Sequence, residues 1–401
     1  MADVQWHERF SRRTVGQGDP ELTAILALAN PVGDVLTFSG GFPDPSTFDA
    51  DVIGAIADRL IRSDAAVALQ YAASEGVPSV REYLCDRVGE LEGRRPDTAE
   101  LIVTSGGIDC LDLVCKSLLD PGDVVMVESP TYLGAIMGFR AFEAEIRDVP
   151  MDEDGMQVDA LATLLREGLR PKFLYTNPEH QNPSGRTLSV ERRHALVELA
   201  RMYGLLLIDD VAYRELSFDG SMLPSLWSMA PDVVLQMGTF SKIFFPGVRL
   251  GWAVGPADLV AQLAVAKQNS DQCAGALGQR LLEEYGRAGH FGPHLERARA
   301  LYERRWRLLD AALREHMPPG TTWTRPTGGF FTWLELPWEV DTADLRAAAT
   351  NAAVAFVAGR PFYADGRPSN AMRLSFSRLP DERIDEGVRR LVDAVGAAAP
   401  A

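Results

Sequence analysis

The chain offers few residues for amine chemistry, because only four of its 401 residues are lysines. Lys242 directly follows an apolar, strand-like run, and Arg249 stands seven positions further on. A lysine amine buried beside apolar residues has a lowered pKa, which an imine-forming nucleophile needs. The hydroxyls of Thr239 and Ser241 and the guanidinium of Arg249 could together bind a phosphate. The segment therefore predicts a reactive amine beside a phosphate site; the alternative is a surface loop with a solvated lysine.

A carboxylate at the end of a second apolar run could serve the same site. Asp210 closes the run Leu205–Asp210, and Tyr213 follows three positions later. A buried carboxylate is costly unless a partner neutralises it or donates hydrogen bonds to it. Asp209 should point to the opposite face, because side chains alternate along a strand. We expect Asp210 to face a cationic group; the alternative is that it caps a following helix.

A glycine-rich turn and a strand arginine offer two more anion sites. In the stretch Thr104–Leu113, the backbone N–H groups of Gly106, Gly107 and Ile108 would open a helix directly after a strand, which is an arrangement that binds phosphate. A simple turn is the alternative. Arg373 stands in an apolar strand-like run, where a guanidinium needs an anion such as a carboxylate. An ordinary surface ion pair is the alternative there.

Apolar runs that alternate with amphipathic stretches must position these residues. Two of the stretches predict helices, Ile108–Leu119 and Val190–Tyr203. The predicted strands are Leu101–Gly106, Val124–Glu128, Lys172–Asn177, Leu205–Asp210 and Val233–Phe240. The pattern predicts an α/β domain with a mainly parallel sheet, which binds ligands beyond the carboxyl ends of its strands. Polar side chains gather at those ends: Ser105, Asn177, Asp209, Asp210, Thr239 and Ser241.

The last third of the chain has a different pattern. Ala276–Arg314 is typical of long, charged helices, and a final helix is expected from Asp381. Gly328–Leu336 and Met372–Ser377 are strand-like, which indicates a smaller α+β domain completed by the N-terminal segment. The predicted domains are 45–285 for the large one, and 1–44 with 286–401 for the small one.

The segment Thr239–Trp252, TFSKIFFPGVRLGW, resembles the lysine motif of pyridoxal 5'-phosphate (PLP) enzymes of the class I/II aminotransferase family. Q-N-P-S-G at Gln181–Gly185 and D-x-x-Y at Asp210–Tyr213 also resemble family motifs. The likeness covers nearly the whole chain and is strongest to the branch with aminoadipate, kynurenine and branched-chain or aromatic amino acid aminotransferases. It implies PLP transferase fold type I, in which a mainly parallel, seven-stranded type of sheet lies between helices in the large domain, beside a smaller α+β domain.

The resemblance implies a role for each matching residue. Lys242 would hold PLP as a Schiff base and later move the Cα proton of the substrate. Asp210 would pair with the ring nitrogen, while Asn182 and Tyr213 would hydrogen-bond the ring oxygen. Tyr132, in the segment E-S-P-T-Y-L-G, would stack on the ring. The phosphate would be bound by Thr239, Ser241, Arg249 and the turn residues Gly106, Gly107 and Ile108.

Substrate and partner residues follow from the same resemblance. Arg373 would bind the substrate α-carboxylate with Asn182 beside it, and Gly40 or Gly41 of the S-G-G-F-P segment would approach that carboxylate. Tyr71 would reach the phosphate of a neighbouring subunit, which implies a homodimer with shared active sites. The implied partners are an amino acid, a 2-oxo acid and a second copy of the chain.

The chain departs from the family pattern at several positions near the site. Gly107 and Ile108 stand where relatives often have a serine and a glutamine, which leaves the phosphate more dependent on backbone amides. Glu179 and His180 stand in place of an asparagine and an aromatic residue, and they face either substrate or solvent. Arg360 meets an acidic substrate side chain or is an ordinary solvated arginine.

These motifs predict an aminotransferase that moves an amino group between an L-amino acid and a 2-oxo acid. The same Cα carbanion could instead expel a leaving group, so an elimination, replacement or ring-forming PLP enzyme of specialised metabolism is the alternative. A ligand-sensing transcription regulator with a domain of this type is a third hypothesis. Few residues precede Ser39 and the chain is acidic, and both features argue against a winged-helix module.

The overall composition argues against several other classes of protein. A net charge of -16 disfavours binding to nucleic acid through phosphate neutralisation. The four cysteines form no C-x-x-C pair and are expected to be reduced thiols, and no metal site is expected. The sequence has no apolar run of transmembrane length and no signal-peptide core at its N-terminus. We therefore expect a cytoplasmic protein that does not contact membranes.

Overall fold

The computed structural model describes residues 4–11, 13, 14 and 34–396. Two main sheets organise these residues, one of eight strands and one of four, and a pair of two-residue strands lies apart from them. In chain order the strands are β1 (Leu36–Thr37), β2 (Leu101–Thr104), β3 (Val124–Ser129), β4 (Glu145–Asp152), β5 (Gly155–Met156), β6 (Phe173–Thr176), β7 (Leu206–Asp210), β8 (Val234–Thr239), β9 (Gly251–Val254), β10 (Thr322–Trp323), β11 (Phe331–Glu335), β12 (Val354–Ala355), β13 (Val357–Ala358) and β14 (Ala371–Ser375).

The α-helices cover the sheets and connect them. In chain order they are α1 (Ala50–Ser63), α2 (Ala65–Ala68), α3 (Pro78–Glu92), α4 (Gly107–Leu118), α5 (Leu133–Ala141), α6 (Val158–Arg166), α7 (Val190–Tyr203), α8 (Leu226–Met229), α9 (Ala257–Gln268), α10 (Ala276–Arg287), α11 (Phe291–His316), α12 (Arg346–Asn351) and α13 (Ile384–Gly396). Within the described ranges, each helix is too short or too polar to cross a membrane.

The eight-stranded sheet has the order β2-β9-β8-β7-β6-β3-β4-β5. Within the series β8, β7, β6, β3 and β4, each strand is parallel to the next one. Strand β9 is antiparallel to both β8 and β2. Because β2 and β8 both oppose β9, they run in the same direction. The carboxyl ends of β2, β6, β7 and β8 therefore meet at one edge of the sheet, where ligands of α/β proteins bind.

Both faces of this sheet are buried, so its strands are apolar at nearly every position. Leu174 and Leu207 point into one apolar core, and Phe173 and Ile208 point into the core on the other face. Helix α4, which begins directly after the turn that follows β2, packs in the second core through Leu111 and its neighbours. This two-sided packing fixes the strand ends that carry the polar residues.

The four-stranded sheet is antiparallel and has the order β10-β11-β14-β13. Its central pair places Trp333 opposite Arg373 in the register of β11 and β14. Separately, β1 pairs in parallel with β12, so residues just before the S-G-G-F-P segment are tied to the C-terminal part of the chain. Arg373 and Gly41 are thereby brought towards the same edge of the large sheet.

The predicted α/β class with a mainly parallel large sheet is confirmed, and β5 adds a short hairpin strand to the seven longer ones. The helix Val190–Tyr203 has the predicted bounds, while the predicted charged stretch from Ala276 divides into α10 and α11 at a turn with Gly289 at φ +78°. Strand β9 was not predicted. The domain bounds 45–285, 1–44 and 286–401 stay a prediction.

The turn that carries Asn182 depends on a glycine that touches the other sheet. Gly185 has φ +68°, and a Cβ there would overlap the carbonyl oxygen of Phe331. Gly366 has nearly the same φ, +67°, but a Cβ there would meet no atom within 4 Å. We expect Gly185→Ala to lower the free energy of unfolding by about 1–3 kcal/mol more than Gly366→Ala, because only the first creates a steric overlap.

Denaturant unfolding of both variants and the wild type measures this difference. Gly366→Ala controls for backbone strain, since both alanines would adopt the same left-handed conformation. Equal losses in the two variants would show that the turn is free to move away from Phe331.

Candidate active site

A cavity of about 350 Å³ lies at the carboxyl edge of the large sheet. It is bounded by both sheets and by the turn that follows β2. The predicted residues that line it are Gly41, Gly107, Ile108, Tyr132, Asn182, Asp210, Tyr213, Thr239, Ser241, Lys242, Arg249 and Arg373. Residues from seven separate segments therefore meet in one place, and among them Asp210, Thr239 and Ser241 were predicted to do so from their positions at strand ends.

Lys242 reaches into this cavity from the turn after β8. Its Nζ donates a hydrogen bond to the carbonyl oxygen of Gly41 at 2.8 Å. Burial, together with the positive charges of Arg373 and Arg249, lowers the pKa of this amine to about 8. A neutral amine, which is the nucleophilic form, is therefore accessible near neutral pH.

Asp210 lies across the cavity at the end of β7. Its carboxylate accepts hydrogen bonds from the hydroxyl of Tyr175, at 2.6 Å, and from the N–H of Ala212, at 3.2 Å. Both donors are neutral, and burial raises the pKa of Asp210 to about 6. A cation placed beside this carboxylate would remove the penalty of burying its charge. Asp209 faces the other side of the sheet, as predicted, where its carboxylate accepts from the side chain of Gln236 at 3.2 Å.

Arg373 presents a guanidinium to the same cavity. It is buried, donates to Asn182 Oδ1 at 2.8 Å and to the carbonyl oxygen of Ser39 at 2.6 Å, and lies 4.2 Å from the centre of the Phe331 ring. Among the described residues its Nε has no hydrogen-bond partner. Burial lowers the pKa of Arg373 to about 10. A guanidinium with a free, buried N–H is suited to a carboxylate.

Two tyrosines and Asn182 complete the wall. Asn182 and Tyr213 both line the cavity, and burial raises the pKa of Tyr213. Burial also raises the pKa of Tyr132 to about 12. Asn182 itself is placed by Asn177, whose Oδ1 accepts from the Asn182 N–H at 2.9 Å. Neutral hydroxyls and an amide thus face the space between Lys242 and Arg373.

The phosphate-binding residues predicted from the sequence are adjacent. Ser241 Oγ lies 3.0 Å from Thr239 Oγ1 and accepts from Arg249 Nη1 at 3.1 Å. Gly106, with φ +102°, lies so close to Arg249 that a Cβ would come within 2.7 Å of its Nη2. Helix α4 begins at Gly107, so its first N–H groups point to this corner. The donors match an anion with several oxygen atoms.

These features together fit PLP. The corner formed by Thr239, Ser241 and Arg249 suits its phosphate, and the buried Asp210 carboxylate suits a protonated ring nitrogen. The amine of Lys242 lies between them. The fit rests on the unmet charge of Asp210 and on the absence of a side chain at Gly106.

The structure leaves three predicted residues outside the cavity lining, namely Tyr71, Gly40 and Gly106, of which Gly106 lies against Arg249. The Tyr71 side chain is 80% exposed, so within one chain it contacts no site. The carbonyl oxygen of Gly40 accepts from Ser377 Oγ at 3.4 Å behind the lining residue Gly41. Of the two glycines considered for the substrate carboxylate, Gly41 is the one that lines the cavity.

The structure shows where the side chains that depart from the family pattern lie. Glu179 and His180 are both buried, so the prediction that they could face solvent is wrong. Glu179 forms an internal ion pair with Arg193, with Oε1 at 2.8 Å from Nη1. The Arg360 side chain is 47% exposed and pairs with Asp341, so it is only partly solvated.

Several lining residues were not among the predicted site residues: Phe42, Leu111, Tyr175, Asn177, Met237 and Phe331. Tyr175 had a detectable signal, because a hydroxyl in the apolar strand before Asn177 requires a polar partner. Phe331 had none, since its position depends on the contact between the two sheets.

A second cavity, of about 710 Å³, lies between the turn at Gly185 and strands β10 and β11. It includes Arg186 and Arg325 and contains none of the predicted site residues. Size alone therefore does not identify the functional site, whereas convergent charged groups do.

Fold and cavity define an α/β protein in which a lysine amine, a buried carboxylate and an anion-binding corner line one cavity. The chain belongs to the aminotransferase class I and II family, whose profile matches residues 34–391. It is 34% identical to aromatic-amino-acid aminotransferase 1 of Thermococcus litoralis, over 98% of this chain and 95% of that protein. It is 37% identical to 2-aminoadipate transaminase of Thermus thermophilus, over 98% and 97% of the two chains.

Solved structures agree with this assignment. The chain superimposes on a Pyrococcus horikoshii kynurenine aminotransferase, solved with PMP, with a TM-score of 0.94 and 34% identity, covering 99% of each chain. The protein is therefore an aminotransferase of fold type I, an enzyme that transfers amino groups. Nothing in the site or in these comparisons favours elimination or replacement chemistry.

The raised pKa of Asp210 predicts how its removal changes stability in the absence of cofactor. Because its folded pKa, about 6, lies above the ordinary value of 3.8, the folded chain becomes less stable relative to the unfolded chain as pH rises between these values. We expect Asp210→Asn to be more stable than the wild type at pH 8 by about 1–3 kcal/mol, with the difference shrinking towards pH 4.

Chemical unfolding at pH 4 and pH 8 measures this change. Asp219→Asn is the control of opposite sign, because hydrogen bonds from Ser221 and Ser217 lower the pKa of Asp219 to about 2. That control should lose stability at pH 8. A loss of stability in Asp210→Asn at pH 8 would contradict the assignment of a carboxylate without its cationic partner.

Proposed function

We propose that this chain binds PLP through Lys242 and uses it to move an amino group between an L-amino acid and a 2-oxo acid. One observation carries the proposal: a lysine amine of lowered pKa, a buried carboxylate with only neutral partners and an arginine with a free N–H all face one cavity. Each of these three groups is costly without a ligand, and the cofactor and substrate would satisfy all three.

Lys242 and Asp210 have different roles in proton transfer. When bound, PLP supplies an electron-accepting ring that stabilises negative charge at the substrate Cα. Asp210 holds a proton on the ring nitrogen, because its buried carboxylate is most stable beside a positive charge. Lys242 forms the covalent link through Nζ and, once released by the substrate amine, takes the Cα proton as a neutral base.

The remaining residues orient the two ligands. Asn182 and Tyr213, which both line the cavity, would donate hydrogen bonds to the ring oxygen. Tyr132 covers a face of the ring and excludes water. Arg373 binds the substrate α-carboxylate through its guanidinium, beside Gly41. A substrate held at both its amine and its carboxylate presents a defined Cα–H bond to Lys242.

A second copy of the chain would complete the phosphate corner. Apolar side chains are exposed along residues 61–71 and at Ile108, which lines the cavity, and exposed apolar surface often marks a contact between proteins. They are Ile61, Val67, Leu69, Tyr71 and Ile108. We infer that a partner subunit covers them in a homodimer and that Tyr71 reaches the partner's phosphate site, where Gly107 and Ile108 provide no polar side chain.

Transamination assays of Lys242→Ala test the proposal. The wild type with added PLP should convert an amino acid from a panel of aromatic amino acids, 2-aminoadipate and kynurenine, with 2-oxoglutarate as acceptor, to equal amounts of oxo acid and glutamate. Lys242→Ala should lose at least about a thousandfold in kcat, because both the covalent link and the base are removed.

Lys172→Ala is the matched control. Lys172 is a partly exposed lysine that pairs with Asp123 at 3.2 Å, far from the cavity lining, and its variant should retain wild-type rates. Release of ammonia without glutamate would indicate elimination instead of transamination. Equal activity of the Lys242→Ala variant and the wild type would refute the role of this lysine.

A further inference from the structure

A set of charged side chains is fully enclosed on the side of β7 that faces away from the cavity. It consists of Glu92, Glu179, Arg193, Asp209 and Arg214, and is called the buried ion network below. Their side chains are 0–6% exposed where they form ion pairs. Among the described residues Arg214 Nε, Glu179 Oε2 and Asp209 Oδ1 lack a hydrogen-bond partner, so the network depends on its ion pairs, which constrain the separation of the enclosed charges.

Glu179 connects the two arginines. Its Oε1 lies 2.8 Å from Arg193 Nη1 and 3.4 Å from Arg214 Nε. Arg214 also pairs with Glu92, whose Oε2 accepts from Ser225 Oγ at 2.6 Å. Without the charge of Glu179, the Arg193 guanidinium would keep mainly backbone carbonyl partners.

Backbone contacts tie the network to three segments of the chain. Arg193, on α7, donates to the carbonyl oxygens of Leu188 at 2.9 Å, Pro224 at 3.0 Å and Pro178 at 3.1 Å. Arg214 donates to the carbonyl oxygen of Leu223 at 2.8 Å. The guanidinium groups therefore hold the loop after β6 and the segment after β7 at a fixed separation.

The network members are neighbours, in sequence, of the cavity residues. Glu179 precedes Asn182 by three positions, and Arg214 directly follows Tyr213. Asn182 and Tyr213 both line the cavity, where Asn182 binds Arg373 and where Arg373 and Tyr213 both pack against Phe331. A change in the distance from Glu179 to Arg214 would thus move one of these two side chains relative to the other.

We propose that Glu179 is a positioning residue for the cofactor: by binding Arg193 and Arg214 together, it sets the spacing at which Asn182 and Tyr213 meet the ring oxygen. The inference rests on the proposed function, because it requires that PLP occupies the cavity. Glu179 touches neither the cofactor nor the substrate, and it acts through the backbone that carries Asn182 and through Arg214. Its charge stands where the resemblance to the family leads us to expect a neutral asparagine, and in this chain that charge links the two arginines.

Glu179→Gln in the full-length protein with PLP tests the proposal. The dissociation constant of PLP should rise about tenfold, which corresponds to the coupling of residues in one network. The kcat for the best amino acid should fall about ten- to a hundredfold, because a small displacement of orienting groups has a large effect on rate. The KM should change less than kcat, since Arg373 binds the substrate carboxylate from the other sheet.

A spectroscopic readout separates positioning from a general loss of stability. The circular dichroism of the bound cofactor's visible band, per unit of absorbance, reports how the ring is held, and it should change in Glu179→Gln. Glu283→Gln is the matched control, because Glu283 is also buried and binds two arginines, Arg280 and Arg287, on α10. That control should lose stability while keeping the PLP affinity, kcat and dichroism of the wild type.

Each outcome has one meaning. If Glu179→Gln loses only stability, as Glu283→Gln does, the inference is wrong and Glu179 is merely structural. If Glu179→Gln does not fold, Glu179→Asp replaces it: the shorter carboxylate cannot reach both arginines, so the same shifts in PLP affinity and dichroism are expected, and wild-type values would refute the inference. If the wild type itself binds no PLP, the proposed function fails and not this inference alone.

Discussion

The burial of unlike charges at one edge of a parallel sheet is the constraint on which the rest of this structure depends. Lys242 and Asp210 lie at the ends of neighbouring strands. Burial lowers the pKa of Lys242 and raises the pKa of Asp210, and both shifts favour the neutral form. Arg373 approaches from the other sheet and shows the same effect. Such an arrangement costs stability in the empty protein, and it is retained because a charged ligand relieves it.

The fold keeps these functional groups close together. Apolar cores on both faces of the large sheet fix the strand ends, so the functional groups cannot move apart to become solvated. Behind β7, the buried ion network also encloses charged side chains, and these form ion pairs with one another. Asp210, Thr239 and Arg373 therefore stand on strands, and the turns that carry Lys242 and Asn182 follow strands of the large sheet, which favours precise orientation of a cofactor.

Much of this arrangement could be predicted because local patterns determine it. An apolar run that ends in Lys242 or Asp210 places that residue at the strand end, and the turn at Gly106 marks the start of a helix. Contacts between distant segments could not be predicted. Tyr175 pairs with Asp210, and Phe331 packs on Arg373, only because two strands and two sheets come together. Strand β9 was not predicted, because its residues Gly251–Val254 begin with a glycine and are followed by another, and glycine is typical of turns.

The burial of Glu179 shows why sequence patterns fail for charged residues. A glutamate in a polar turn is typical of a solvent-exposed position. The arginines that enclose Glu179 lie 14 and 35 positions away in the sequence. The contacts of Tyr71 also could not be predicted from its neighbours in sequence, since its expected partner belongs to a second chain. In both cases the determining contact lies outside the local sequence.

The most direct test of the account is to locate the cofactor on the chain. The protein is loaded with PLP, reduced with borohydride to make the link permanent, digested and analysed by mass spectrometry. The account predicts that the peptide containing Lys242 carries the reduced pyridoxyl group, in about one equivalent per chain, and that the peptides with the other three lysines do not. Stoichiometric modification of a different lysine, or of none, would contradict it.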